Sequence, residues 1–284
     1  MREVSRSAAV AALLFIAFLP FHSAQALDRL IKPDAAIVAT DQQSINIIDI
    51  RHKKLGFERG HIPGSVSMPY WDFRSKNGAL VSDPEMTQMA QQAGLRKNKP
   101  VLIVHSGMDH RSFSSAAWVY WMLKSTGFTD ISILDGGIKA WKEAGGEISH
   151  TPRKPKRSAV VLTFSDEWLA STEEVQRISD GDQQGALLDS RVEESVNAGS
   201  IQGAMSYAVD MLLQKDRREA LDPLDTLEKL KAVQVNWEGD PVITFCNDGT
   251  QGAATWFMAS EIAGIKKVRL YAESLQGWEK RNVN

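Results

Sequence analysis

Two four-residue runs, the wholly apolar Val101 to Val104 and Val242 to Phe245 with only Thr244 polar, each stand behind a proline. A strand with no polar alternation is one buried on both faces. Longer amphipathic stretches follow each run. Ser112 to Ser125 and Ala253 to Ala263 read as helices, with Gly127 and Gly264 as C-terminal stops. Strand, loop, helix and strand in that order predict an α/β fold, a parallel sheet with helices on both faces. Ligands bind such sheets beyond the carboxyl ends of the strands. The apolar run from Ala8 to Phe21 has a different character. It follows Arg2 and Arg6 and leads into Ser23-Ala24-Gln25-Ala26. Positive start, apolar run and Ala-x-Ala site are the three parts of a secretory signal peptide. The run is shorter than the roughly 20 residues of a membrane span, which disfavours the alternative of an uncleaved anchor. Residues 1–26 are therefore expected to be removed after Ala26. The mature chain is expected to be exported, to the periplasm, with no stable membrane association after cleavage.

The remainder contains itself twice. Ile48-Asp49-Ile50-Arg51 is echoed by Leu188-Asp189-Ser190-Arg191, and Gly60-His61-Ile62-Pro63-Gly64-Ser65 by Gly199-Ser200-Ile201-Gln202-Gly203-Ala204. Pro100 to His105 matches Pro241 to Cys246, and Leu134 to Trp141 has a degraded partner in Leu270 to Trp278. Four matches in order at nearly one offset mark a duplicated domain of about 130 residues, an ordinary domain size. The expected division is 27–150 and 160–284. The join, 151–159, is basic, carries two prolines and reads as an exposed linker.

A length of 284 residues agrees with two domains. With 43% apolar and 24% charged residues, disordered, collagenous and membrane-channel classes drop out. Net charge is −2, and removing Arg2, Glu3 and Arg6 makes it −3. Nucleic-acid binders show a basic excess or stripe, so no nucleic-acid partner is expected. Cysteine occurs once, at Cys246, which excludes an intramolecular disulfide. That residue is either an inert core thiol or a reactive one.

Its position favours reactivity. Cys246-Asn247-Asp248-Gly249-Thr250-Gln251-Gly252 joins a buried strand to a helix. Two glycines permit positive φ angles, so successive backbone N–H groups converge, and the helix N-terminus adds unsatisfied donors. Such a cradle is expected to lower the thiol pKa below its free value of about 8.5. It would also hold the outer sulfur of a persulfide or a sulfonate oxygen.

The repeated Asp-x-Arg, the Gly-His-Ile-Pro-Gly-Ser block, the Asp-Gly-Gly-x-x-x-Trp block and the Cys-x-x-Gly loop together resemble tandem-domain rhodaneses. That family includes thiosulfate and 3-mercaptopyruvate sulfurtransferases. The resemblance implies two rhodanese-like domains, the first catalytically silent and the second active. It implies a sulfurtransferase in which Cys246 takes sulfane sulfur from a small donor and passes it to a thiol or cyanide. Asn247 to Gly252 would bind substrate, and Arg191 matches an arginine that relatives use on anionic substrates. The chain departs from the family beside the cysteine. Asn247 and Asp248 replace the basic residues of the thiosulfate type, and Asn-Asp-Gly-Thr-Gln replaces the Gly-Ser-Gly-Val-Thr of the mercaptopyruvate type. Glu193, Glu194 and Ser195 fill the stretch where a second arginine stands in relatives. The alternatives are a protein-to-protein sulfur relay, which an acidic loop would suit, and a non-catalytic binding module.

Other candidates carry less. His105 replaces the cysteine in the first half, as a silent domain requires. Arg191 has a structural alternative, pairing with a carboxylate at the strand end. Asp49 and Asp189 read as turn-forming residues after a strand, and His61 as a local turn residue. His105 and His110 have no third ligand nearby, so no metal is expected. The paired tryptophans Trp118, Trp141, Trp256 and Trp278 read as core. Trp71 also reads first as packing, though its turn could border a cleft. Lys215 to Glu219 mixes signs as a solvated face does. A Cys-x5-Arg phosphatase is excluded because Gly252 stands six positions after Cys246. No phosphate loop or nucleotide fingerprint is present, so no cofactor is expected.

Overall fold

The computed structural model describes residues 26–42, 44–75, 80–192, 199–214 and 219–282. The apolar N-terminal segment, the Glu193-Glu194-Ser195 stretch and Lys215 to Arg218 lie outside the described residues.

In the first half, β1 (Leu30–Ile31), β2 (Asn46–Asp49), β3 (Val66–Ser67), β4 (Val101–Val104) and β5 (Ile131–Leu134) form one sheet in the order β1-β5-β4-β2-β3. All pairings are parallel, with Asn46 opposite Val101 and Asp49 opposite Val104. The second half builds β6 (Ala186–Asp189), β7 (Met205–Ser206), β8 (Val242–Phe245) and β9 (Val268–Leu270) in the order β7-β6-β8-β9. Ala186 faces Val242 and Asp189 faces Phe245, the same parallel register one repeat later. A single bridge from Leu169 to Leu270 replaces β1. The runs Val101 to Val104 and Val242 to Phe245 are buried at every position, Thr244 included, as strands covered on both faces should be.

The first half carries α1 (Pro33–Gln42), α2 (Asp83–Gln92), α3 (His110–Ser125) and α4 (Gly137–Glu143). The second carries α5 (Thr172–Ser179), α6 (Pro223–Lys231), α7 (Thr250–Phe257) and α8 (Ser274–Asn282). The helix expected from Ala253 to Ala263 is divided: α7 starts earlier, at Thr250, and Met258–Ile262 continues as a π-type turn. Ser112 was a late start for α3, because Asp109 caps the helix by accepting from Ser112 N–H at 3.0 Å.

Twelve of the sixteen α3 residues are buried. A helix apolar all round must be covered on both sides. One side of α3 packs on its own sheet and the other on α7 of the second half, with Tyr120 and Phe257 rings 4.8 Å apart at 73°. One hydrophobic core therefore runs through both halves, from Ile103 and Trp121 to Trp256 and Val242. Polar contacts reinforce the junction. Tyr120 Oη donates to Glu261 at 2.7 Å, and Ala220 N–H donates to the buried Asp135 carboxylate at 3.0 Å. From Thr151 to Arg157 the join is irregular and largely exposed, then Ser158 N–H bonds Gln91 O at 3.0 Å on α2. This junction decides what faces the second half's Cys246 loop.

Candidate active site around Cys246

Cys246 is the first residue after β8, and its backbone is tied from the far side by α8. Cys246 N–H donates to Ser274 Oγ at 3.1 Å, while Leu275 N–H donates to Cys246 O and Gln276 N–H to Asn247 O. Gly249 sits at φ +88°, a left-handed conformation in which a side chain is strained. A Cβ there would lie 2.8 Å from the Trp118 ring and 2.5 Å from Ala272 O. At Gly252 a Cβ would meet the Phe245 backbone at 2.9 Å, so a side chain would push α7 off the strand end. The two glycines thus let the loop close tightly around one sulfur, aiming the N–H groups of Asp248, Gln251 and Gly252 at it.

The electrostatics differ from the expectation. The Cys246 thiol is pushed up to about 11, not down. Burial is the main cause, since Cys246 is 1% exposed, and the Asp248 carboxylate adds to it. Three backbone amides pull the other way and lose. A dry sulfur beside a carboxylate gains less from amide dipoles than it loses in hydration. In this state Cys246 is a thiol whose S–H points at Asp248 Oδ1, 3.6 Å away. The same oxygen accepts from Thr250 N–H at 3.0 Å, so Asp248 caps α7 and faces the sulfur at once.

The structure places Arg191 in the carboxylate pair that was its structural alternative. Its side chain is buried, with Nε 2.9 and 3.0 Å from the two Asp189 oxygens and Nη2 2.6 Å from both Asp189 Oδ2 and Gly199 O. Arg51 repeats this in the first half, with Asp49 at 2.5 to 3.1 Å and Gly60 O at 2.8 Å. The Asp-x-Arg repeat is thus a strut that pins the glycine turn to the strand end. Nε and Nη2 of Arg191 are spent on that strut and do not open onto a substrate. Asp49 and Asp189 are structural, as expected. So is His61, whose ring stacks on Phe57 and bonds Phe57 O and Thr151 O.

A cation hydrogen-bonded to the loop comes from the first half. Arg74 Nη2 donates to Asp248 O at 2.8 Å and to Thr250 Oγ1 at 2.6 Å, and Nε donates to Tyr70 Oη at 2.6 Å. Its guanidinium lies 4.0 Å over the Trp118 ring. Tyr70 Oη also contacts Thr250 Oγ1 at 2.6 Å. Both residues belong to the short 3-10 turn Tyr70–Phe73 and its cap. Nothing in the sequence around Arg74 singles it out, because its partners lie about 175 residues away. The Met68-Pro69-Tyr70-Trp71 turn was the nearest signal. Trp71, expected to pack, is 68% exposed. With Arg111, Asn247, Asp248, Thr250 and Gln251 it lines a cleft of about 360 Å³ between the halves. Asn247, Asp248, Thr250 and Gln251 thus face one cavity, whereas Gly249 and Gly252 are buried behind it with Cys246.

In the first half the equivalent cradle is already filled. His105 Nε2 lies 3.1 Å from Leu134 O, and a carbonyl only accepts, so Nε2 carries the proton. Nδ1 then accepts from Gly107 N–H at 3.3 Å, and the N–H groups of Met108 and Asp109 turn to Ser112 Oγ. Burial pushes His105 down to about 4, so the ring stays neutral as it holds the loop.

Comparison with known proteins agrees with this duplication. The rhodanese-like domain family matches residues 32–144 and again 171–281. The Escherichia coli 3-mercaptopyruvate sulfurtransferase is 26% identical over 268 residues, covering 85% of this chain and 91% of its own length. A Synechococcus elongatus protein, provisionally named a thiosulfate sulfurtransferase, is 24% identical over 280 residues, covering 92% and 86%. The Thermus thermophilus sulfur carrier protein TtuD is 20% identical over 272 residues, covering 84% and 89%. The crystal structure of SseA from Escherichia coli superposes with a TM-score of 0.77 at 19% identity, over 87% of this chain and 99% of that one.

Proposed function

Because this chain belongs to the rhodanese-like domain family, with the domain present twice, we propose that it is a sulfurtransferase carrying sulfur as a persulfide on Cys246. The observation that supports this most is the placement of one sulfur, at a strand end, inside converging amides of Asp248, Gln251 and Gly252. In the second half those amides close on the Cys246 sulfur itself, whereas in the first half the equivalent N–H groups turn to His105 and Ser112.

The resting sulfur is a thiol, so its proton must leave before it attacks. Asp248 Oδ1 is the acceptor in place, 3.6 Å from Sγ. The thiolate then attacks the sulfane sulfur of a donor bound in the cleft. With thiosulfate, the new S–S bond forms on Cys246 as the donor's own S–S bond breaks, and sulfite leaves with its electron pair. With 3-mercaptopyruvate the C–S bond breaks and the carbon takes a proton to give pyruvate. The persulfide's outer sulfur lies within reach of the loop amides, and a thiol or cyanide removes it in a second step. Covalent storage between two half-reactions requires ping-pong kinetics.

A second reading, transfer between proteins, draws on two observations. Cys246 is deeply buried beside an acidic group, which disfavours small anionic donors, and the relative TtuD is named a sulfur carrier. The site of action is proposed to be the periplasm, on the strength of the tripartite pattern in residues 1–26; a mature N-terminus other than Leu27 would sink that assignment.

Intact mass spectrometry before and after each donor tests the proposal. A gain of about 32 Da, one sulfur atom, that is absent in Cys246→Ser is the expected result for an activated thiol. The donor that produces it identifies the substrate. No gain with thiosulfate or 3-mercaptopyruvate, but a gain on mixing with a persulfidated protein, would select the relay. No gain in either arm overturns sulfur transfer.

A further inference from the structure

The first half holds a cavity of about 540 Å³ at the carboxyl ends of β2, β4 and β5. Its walls are Ile50 to His52 after β2, His105 to Met108 after β4, and Lys139 and Lys142 on α4 after β5. Open parallel sheets bind ligands at that end, and the volume is ordinary for a small-molecule site. Thiol chemistry is absent here, since His105 fills the loop, but the space in front of the loop is kept.

Two independent observations say what fits. Leu55 at 64%, Trp71 at 68% and Met108 at 64% are all exposed large apolar side chains, and all three face this cavity. Single exposed apolar residues are ordinary, whereas several around one concavity mark a binding surface. The charged lining is of one sign. Arg51, Lys139 and Lys142 border it, and among the described residues no carboxylate does. Arg51 is engaged by Asp49 and Gly60 O. Among the described residues neither the Lys139 nor the Lys142 side chain has a hydrogen bond or an ion pair, so both ammonium groups are open to a ligand.

We propose that this cavity is a second ligand site, for a small organic anion with a flat apolar body, such as an aryl carboxylate. The indole of Trp71 offers the ring a face, Leu55 and Met108 enclose it, and Lys139 and Lys142 take the negative end. The site adjoins the Cys246 cleft through shared walls at Tyr70, Trp71 and Ser115. It does not depend on sulfur transfer, and the experiment keeps the two apart by using the full chain with Cys246→Ser.

Calorimetric titration at low salt with 2-naphthoate, its neutral amide and acetate tests the proposal. The expected result is one 2-naphthoate per chain, with the amide and acetate each about tenfold weaker or more. Lys139→Glu with Lys142→Glu is expected to weaken 2-naphthoate by about tenfold or more, as charge reversal at two contacts should. Lys231→Glu, in the second half, leaves binding unchanged. The proposal fails if 2-naphthoate gives no binding at about 10 mM, far weaker than a formed site allows. It also fails if the amide binds equally well, or if the double variant, with an unaltered thermal melt, retains full affinity.

Discussion

Replacing Asp248 by asparagine should make Cys246 more acidic, and the size of the effect follows from the site. The carboxylate lies 3.6 Å from Sγ and is 39% exposed. Two unit charges at that distance repel by about 4–5 kcal/mol at an effective dielectric near 20, and by about 1 kcal/mol in water. Exposure of Asp248 calls for a value towards the watery end, about 1.5–2 kcal/mol. That is roughly a 10- to 30-fold gain in thiolate at any pH below the thiol's own pKa. Asparagine keeps an oxygen for Thr250 N–H, so the cap and loop geometry survive. Alkylation by iodoacetamide, followed against pH by mass spectrometry, reads the outcome directly because the chain has one cysteine. The rate at pH 8 should rise only about three- to fivefold, since a more acidic thiolate is a weaker nucleophile, while the midpoint of the profile moves to lower pH. A midpoint that stays or rises would show that Asp248 does not oppose the thiolate. If Asp248 also receives the proton in sulfur transfer, the same variant gains in alkylation yet loses turnover, a divergence that mere loss of charge would not give.

The remaining predictions concern the frame around that site. Arg74→Met keeps the stem over Trp118 but removes the bonds to Asp248 O, Thr250 and Tyr70, and should cost about 3 kcal/mol in urea unfolding. An unchanged midpoint would rule out the clasp. Gly249→Ala, forced to φ +88° against Trp118 and Ala272 O, should cost about 2–4 kcal/mol and slow any Cys246 chemistry; a neutral substitution would contradict the close packing of the loop. His105 has a depressed folded pKa, so its contribution is present above the unfolded value of 6.5 and lost as pH falls towards about 4. The stability difference between the natural chain and His105→Gln should shrink by about 3 kcal/mol over that window, and a flat difference would place the ring in water. Cys246 has a raised folded pKa, so its contribution is intact below 9.0 and lost as pH rises towards about 11. Comparison with Cys246→Ser should show a difference of about 2–3 kcal/mol disappearing across that alkaline range.

Much of the frame was legible in sequence because it rests on local physics. Largely apolar tetrads, glycine stops and a repeated order of blocks all act over a few residues, and both sheets are parallel as expected. The importance of Cys246 followed from its place between a strand and a glycine turn. The divided α7 and the early start of α3 were not legible, since a π-type turn and an Asp109 cap depend on details of backbone geometry.

Three features of the site were decided by tertiary structure alone. Arg74, Tyr70 and Trp71 reach the Cys246 loop because α3 packs against α7, and no local pattern encodes a contact between turns so far apart in the chain. The sign of the Cys246 pKa shift also could not be read from the loop. Sequence shows which dipoles converge on the sulfur, but not how much water the packed halves exclude or which carboxylate oxygen faces it. Hydration of a charge depends on everything within a few ångströms in space, and here burial and Asp248 outweigh the amides. Likewise, Arg191 carries the expected residue type at the expected place, yet only the fold shows its guanidinium bound to Asp189 and Gly199 O. The one-dimensional chain determined which groups exist and how each turn is made; three-dimensional packing decided which of them are dry, paired or open.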